Sequence, residues 1–278
     1  MKIIDFRVRP PLKGILKTAM YANAPRRDRF IRQLGFEPAP SAQKKSMPLL
    51  LQEMKDAGVG RGVVMARLSD MLGSISNKDV QDICKAYPKV FVGIAGVDPT
   101  SRRAALQQID DAMKAGFRGI TIEPGAYPVP MYADDRRLYP LYGHLEDRKI
   151  PVVIMTGGNA GPDLSYSSPI PLDRVAGDFP TLKIVVSHGN WPWVHEILHV
   201  AFRRPNIYLS PDMYLYNMPG MDDWLKAANG WLADRFIYAS AYPLTPLKDY
   251  AEWFVRLPLK PGVMEKCVYK NAAGLLGI

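Results

Sequence analysis

Short β-branched runs alternate with longer amphipathic stretches along the whole chain, and that order leaves few folds open. The runs predicted as strands are Lys2–Arg7, Gly62–Met65, Val90–Ala95, Gly119–Ile122, Val152–Met155, Ile184–Ser187, Ile207–Leu209 and Phe236–Ala239. Helical patterns follow at Ser46–Ala57, Asn77–Ala86, Ser101–Ala115, Asp135–Asp147, Leu172–Asp178, Trp191–Phe202, Met221–Asn229 and Pro246–Arg256. Such alternation marks parallel βα units. Gly58 and Gly116 stand where left-handed helix caps are expected, and Ser76 and Ser101 where N-caps are. Eight strands, each followed by a helix, predict a single α/β domain over residues 1–278, a (β/α)8 TIM barrel. The rival, a doubly wound open sheet, lacks its Gly-rich phosphate loop after strand one.

One connection is unusual. Residues 10–46 include five prolines and read as a loop with one embedded helix near Asp28–Leu34, a lid-like insertion over the barrel mouth. The tail Pro261–Ile278 reads as one or two closing helices.

Composition narrows the class. A chain of 278 residues with 47% apolar and 23% charged residues can bury a large core. Cys84 and Cys267 lie far apart, which argues against a disulfide framework or thiolate zinc site and is compatible with a reducing cytoplasm. The amino terminus runs straight into a predicted strand with no signal peptide evident, and no apolar run reaches membrane-spanning length. The net charge of +9 raises the question of nucleic acid, but the densest basic cluster, Arg26-Arg27-Asp28-Arg29, belongs to no recognisable motif. A solvated basic face is the plainer reading, and no nucleic-acid partner is expected. Assembly into a homo-oligomer is compatible with the sequence.

The segment Asp5-Phe6-Arg7-Val8-Arg9 closes the first strand. Alternate strand residues share a side, so Arg7 and Arg9 are expected to project together, with Phe6 and Val8 opposite. Guanidinium groups offer no lone pair and stay charged, so they repel metal cations and grip carboxylates or phosphates.

Several segments, taken in order, resemble the amidohydrolase-related branch of the amidohydrolase superfamily. The strongest runs from Phe179 to Gly189 and on through Trp191-Pro-Trp193 to Glu196. Others are Ala115–Ile120, Leu138–Tyr142, Lys149–Ile154, Asp234–Pro243 and Tyr269–Leu276. The resemblance implies the same barrel. It also implies divalent-metal ligands: a His-x-His on strand one, a His ending strand five, a His ending strand six and an Asp ending strand eight. Those places hold Arg7 and Arg9, Met155, His188 and Ala241, so only His188 remains. The strand-four place, a lysine or glutamate in some members, falls near Thr121–Glu123. The expected metal site is therefore degenerate, and no cofactor is expected.

Each candidate carries two readings. Arg7 and Arg9 either clamp an anion or pair internally, for example with Glu123. His188 is either chemically active or a hydrogen-bonded remnant, and Asp212, after strand seven, is the most plausible replacement base or an ordinary loop cap. Arg67, after strand two, joins the mouth cluster or lies on the surface. Asn159, just beyond strand five, offers a ligand hydrogen bond, unless Gly157 and Gly158 merely permit a turn. Tyr242 is expected to line the pocket beside a turn-forming Pro243. His195 and His199 mimic a metal pair but belong to the outer ring, and His144 is taken as structural. These expectations describe a hydrolase acting without a tightly bound metal on a small carboxylated substrate such as a lactone or cyclic acid. The alternatives are a non-catalytic anion-binding barrel and a decarboxylase; the decarboxylases the resemblance brings in use the metal whose ligands are replaced.

Overall fold

The computed structural model describes residues 2–158 and 160–278. Seven parallel strands, β1 (Ile3–Asp5), β2 (Val59–Met65), β3 (Phe91–Gly96), β4 (Ile120–Ile122), β5 (Val152–Met155), β6 (Ile184–Ser187) and β7 (Ile207–Ser210), pair in chain order. Helices cover the outside, as right-handed βαβ crossovers require.

The eighth predicted run, Phe236–Ala239, is not a regular strand, yet it closes the ring. On one side Leu209 N–H donates to Arg235 O and Ile237 N–H to Leu209 O, both at 2.9 Å. On the other, Phe6 N–H donates to Tyr238 O at 3.1 Å and Arg9 N–H to Tyr242 O at 3.2 Å. Tyr238 gives its own N–H to Cys267 O of the carboxyl-terminal segment (2.9 Å), which removes a rung from the ladder.

Strand one also ends early. Arg7 N–H turns to the Asp5 carboxylate at 3.1 Å, and pairing resumes only at Val8, whose N–H donates to Val63 O at 2.8 Å. This break shifts the alternation. Phe6 packs with Ile4, Val63, Val153 and Ile237 in the barrel interior, whereas Val8 joins the core between sheet and helices. The expectation that Phe6 and Val8 share a side is therefore corrected: the bend at Phe6 breaks the two-residue period. Ala272, Ala273, Leu275 and Leu276 of the last helix join the interior cluster. Truncating Leu275 or Leu276 to alanine should cost about 2–5 kcal/mol.

The 10–46 segment is more helical than expected. It contains helical turns at Lys13–Lys17, Ala19–Ala22 and Pro40–Gln43, and a full helix over Ala24–Gln33. That helix starts at Ala24 because Asn23 accepts the Arg26 N–H and Pro25 occupies its first turn. Two predicted helices begin later than expected. Tyr139–Asp147 is preceded by a turn in which Asp135 binds both the backbone and the guanidinium of Arg137. Val194–Arg203 is preceded by a separate turn at His188–Asn190. Among the described residues no helix is long and apolar enough to cross a membrane.

Candidate active site

The chain turns sharply where the strands end. His188 follows β6 with φ 65°, Asp212 follows β7 with φ 45°, and Ala241 follows the closing segment with φ 58°. Left-handed backbone costs a non-glycine residue about 1–2 kcal/mol, and such strain gathers at functional sites. Here it brings two side chains together. His188 Nδ1 lies 3.0 Å from Asp212 Oδ1 and 2.8 Å from Oδ2. A carboxylate only accepts, so Nδ1 carries the proton and Nε2 keeps its lone pair. Burial pulls the His188 pKa down against the opposing pull of Asp212, and the result lies below the ordinary value. The imidazole is therefore neutral at pH 7. Its ring meets Tyr214 edge-on at 5.4 Å, and Tyr214 stacks on Trp191 at 5.0 Å. The Tyr250 hydroxyl donates to the backbone carbonyl of Asp212, which holds the turn.

Three buried guanidinium groups face this dyad. Arg67, just after β2, places Nε 2.9 and 3.0 Å from the two oxygens of Glu123, just after β4. Arg7 donates to Ser187 Oγ at 2.7 Å and to the Met155 sulfur. Arg9 Nη1 donates to the carbonyls of Ala241 (2.9 Å) and Tyr242 (3.3 Å). Arg7, Arg9, Arg67 and Glu123 are all buried, and among the described residues Arg7 Nε and Arg67 Nη1 have no hydrogen-bond partner. Burial would raise the Glu123 pKa, but Arg67, Arg7 and Arg9 outweigh it and hold the carboxyl below its usual range. Burial lowers Arg7 to about 10, and burial with the charges of Arg7 and Arg67 pushes Arg9 well below its usual value. Buried positive charge exceeds its local compensation, a condition that an anion relieves.

Asp5 lies beside this cluster, its carboxylate accepting from the backbone N–H and hydroxyl of Ser240. Burial nevertheless raises its pKa to about 6. The folded protein thus binds this proton more tightly than the unfolded chain. The resulting stability is fully present below the unfolded value near 4 and is lost as pH rises through about 6. His188 acts oppositely: its pKa is depressed, so its contribution is present above about 6.5 and falls on acidification. Asp5→Asn should remove the first effect, about 2–3 kcal/mol between pH 4 and 7, leaving a stability that only declines on acidification. Denaturant titrations of both proteins across that range check this; parallel curves would refute it.

A pocket of about 160 Å³ opens above these groups, lined by Arg9, Arg67, Glu123, Met155, His188 and Tyr214 among others. A cavity of about 150 Å³ holds a benzene-sized body, so the space suits one small ring. Its outer wall comes from the 10–46 segment through Met20, Arg26, Arg27 and Phe30.

The sequence candidates fall unevenly around this pocket. His188, Arg9, Arg67 and Glu123 line it, while Arg7 and Asp212 lie behind as partners of lining groups. Tyr242, expected to line it, instead turns its hydroxyl to Ser41 Oγ at 2.8 Å, because the backbone at Ala241 is left-handed and its ring packs in the outer core. Asn159 lies outside the described residues. His195 is exposed and bonded to Asp223, His199 is exposed, and His144 bonds Asp110. The reading of this cluster, Arg26-Arg27-Asp28-Arg29, as a solvated face holds for exposed Arg26 but is corrected for Arg27, which is buried, and both residues line the pocket. Their shared helical face with Phe30, at i, i+3 and i+4 spacing, was the available signal. Met213 and Tyr214, also pocket residues, carried no local signal.

Metal ligation does not fit this donor set. The oxygens of Glu123 are committed to Arg67 and Nδ1 of His188 to Asp212. Among the described residues no three His, Cys, Asp or Glu side chains converge. Transition-metal sites need three or four donors, and the adjacent guanidinium groups oppose a cation. The purified protein should therefore carry no stoichiometric zinc or manganese by elemental analysis. One equivalent surviving dialysis against a chelator would overturn that expectation.

Residues 4–278 match the model of a family described as Amidohydrolase. A search among curated proteins finds no match. Among solved structures, an uncharacterized TIM-barrel protein from Bordetella bronchiseptica is 55% identical, with a TM-score of 0.97 over 100% of this chain and 99% of that one. The 5-carboxyvanillate decarboxylase of Sphingomonas paucimobilis is 16% identical, with a TM-score of 0.69 over 100% and 99%. A dihydroxybenzoic acid decarboxylase from Polaromonas, solved with manganese and 2-nitroresorcinol, is 15% identical, with a TM-score of 0.71 over 99% and 97%. The two remote likenesses establish a shared fold.

Proposed function

The chain belongs to the amidohydrolase family, and from that premise we propose that it hydrolyses a small carboxylated lactone or cyclic ester without a tightly bound metal. The observation that carries this reading is the contact of His188 Nδ1 with Asp212, in a pocket that His188, Arg9 and Arg67 line together. His188 Nε2 takes a proton from water, and the water oxygen attacks the ester carbonyl carbon. The carbonyl electron pair moves to oxygen, where Arg9 or Arg67 stabilises the negative charge. Collapse breaks the C–O bond, and the imidazolium returns its proton to the departing alkoxide. Asp212 stabilises the imidazolium in between and fixes the ring tautomer.

A decarboxylase reading draws support from the ring-sized pocket and from the two similarly folded decarboxylases. One panel separates the readings: carboxylated lactones and hydroxylated benzoates assayed for ester hydrolysis and for released carbon dioxide, with thermal shift in parallel. Lactone opening supports the proposal. Carbon dioxide release favours the second reading, and stabilisation without turnover would make the barrel a binding protein.

A further inference from the structure

Among the described residues, four arginines and one carboxylate line the pocket. Internal pairing accounts for two of the four. Arg67 is held by both oxygens of Glu123, and Arg27 by Asp28 at 2.7 Å. Two remain without a carboxylate. Arg9, buried at the base, spends Nη1 on backbone carbonyls alone. Arg26, exposed in the first turn of the Ala24–Gln33 helix, uses its backbone N–H for the Asn23 cap, and its guanidinium has no protein partner among the described residues. The pocket also presents apolar Met20, Phe30, Met213 and Leu244.

An apolar pocket with one uncompensated cation at its base and another at its rim calls for an amphiphile charged at both ends. We infer that the substrate is a dicarboxylate: a small apolar body with one carboxylate on Arg9 and the second on Arg26. This deepens the proposed function and rests on its reading of the pocket as the substrate site. Arg26 would then set specificity by rewarding the second charge, while Arg9 holds the charge that every ligand shares. A partly exposed charge-assisted hydrogen bond sits at the low end of its range, which corresponds to about tenfold in affinity.

The test uses the full chain and three probes: benzoate, terephthalate and monomethyl terephthalate, titrated calorimetrically. Terephthalate should bind the wild type about tenfold more tightly than its monomethyl ester. Arg26→Gln should bring that ratio near one, and Arg26→Lys should keep part of the preference. Arg9→Gln should weaken all three. Equal binding of terephthalate and its ester to the wild type, or a preference that survives Arg26→Gln, overturns the inference while leaving the pocket as an anion site. Failure of all three probes to bind the wild type overturns the inference together with the reading on which it rests.

Discussion

His188→Asn should lower kcat/KM by about 10²–10⁴ on whichever ester the protein turns over, the range general acid–base catalysis contributes. Asparagine suits the test because the backbone at 188 has φ 65°, a region asparagine tolerates better than most residues. The variant should fold and retain carboxylate binding, since Arg9 and Arg67 are untouched. Asp212→Asn should also lower kcat, by disturbing the tautomer, with KM nearly unchanged. The pH profile supplies an independent reading. Burial keeps the His188 pKa below its ordinary value, so activity should fall on acidification below about pH 6.5, and that limb should vanish in the residual activity of His188→Asn. Undiminished turnover in His188→Asn would remove the dyad from the chemistry.

Glu123→Gln should destabilise the fold by about 3–5 kcal/mol, the cost of breaking a buried ion pair by removing one partner. Glu123 places both oxygens on Arg67 Nε, and its charge also faces Arg7 and Arg9. Without it, three buried guanidinium groups repel one another with no carboxylate between them. Against a typical total stability of about 5–15 kcal/mol this is a large fraction, readable as a shift in the urea midpoint. Because the Glu123 pKa is depressed, its contribution is present above about 4.5 and is lost as pH falls below that, so the variant should lose less on acidification. Replacing both partners, Arg67→Met with Glu123→Met, should cost less than Glu123→Gln alone. Benzoate should restore part of the single variant's stability by neutralising the same charges. A loss under about 1 kcal/mol would show that the arginines do not depend on this carboxylate.

Family resemblance and local pattern carry different parts of this molecule. The predicted ranges of β5 and β6 coincide with the observed strands. The left-handed caps at Gly58 (φ 72°) and Gly116 (φ 90°) and the side-chain caps from Ser76 and Ser101 also follow the sequence reading. These signals act within one turn or one strand, where φ preference, capping and apolar period are decided by adjacent residues. The closing segment shows the limit. Its composition marks it as strand-like, but the Cys267 carbonyl takes an N–H that a ladder would need, and that contact spans the end of the chain.

At the site the division is sharper. By itself the sequence determined that Arg7 and Arg9 close the first strand run, that His188 follows the strand-like run Ile184–Ser187, and that Asp212 lies just beyond Ile207–Leu209. Only the tertiary structure decided what those groups do for one another. Closure of the ring sets His188 against Asp212 and Arg67 against Glu123, and among the described residues it leaves the Arg9 guanidinium with backbone carbonyl partners alone. It also brings the Ala24–Gln33 helix over the mouth, so that Arg26 and Phe30 become pocket residues. The reason is physical: a side chain's chemistry follows from its type, but its charge partners and burial depend on which strand ends meet around the ring.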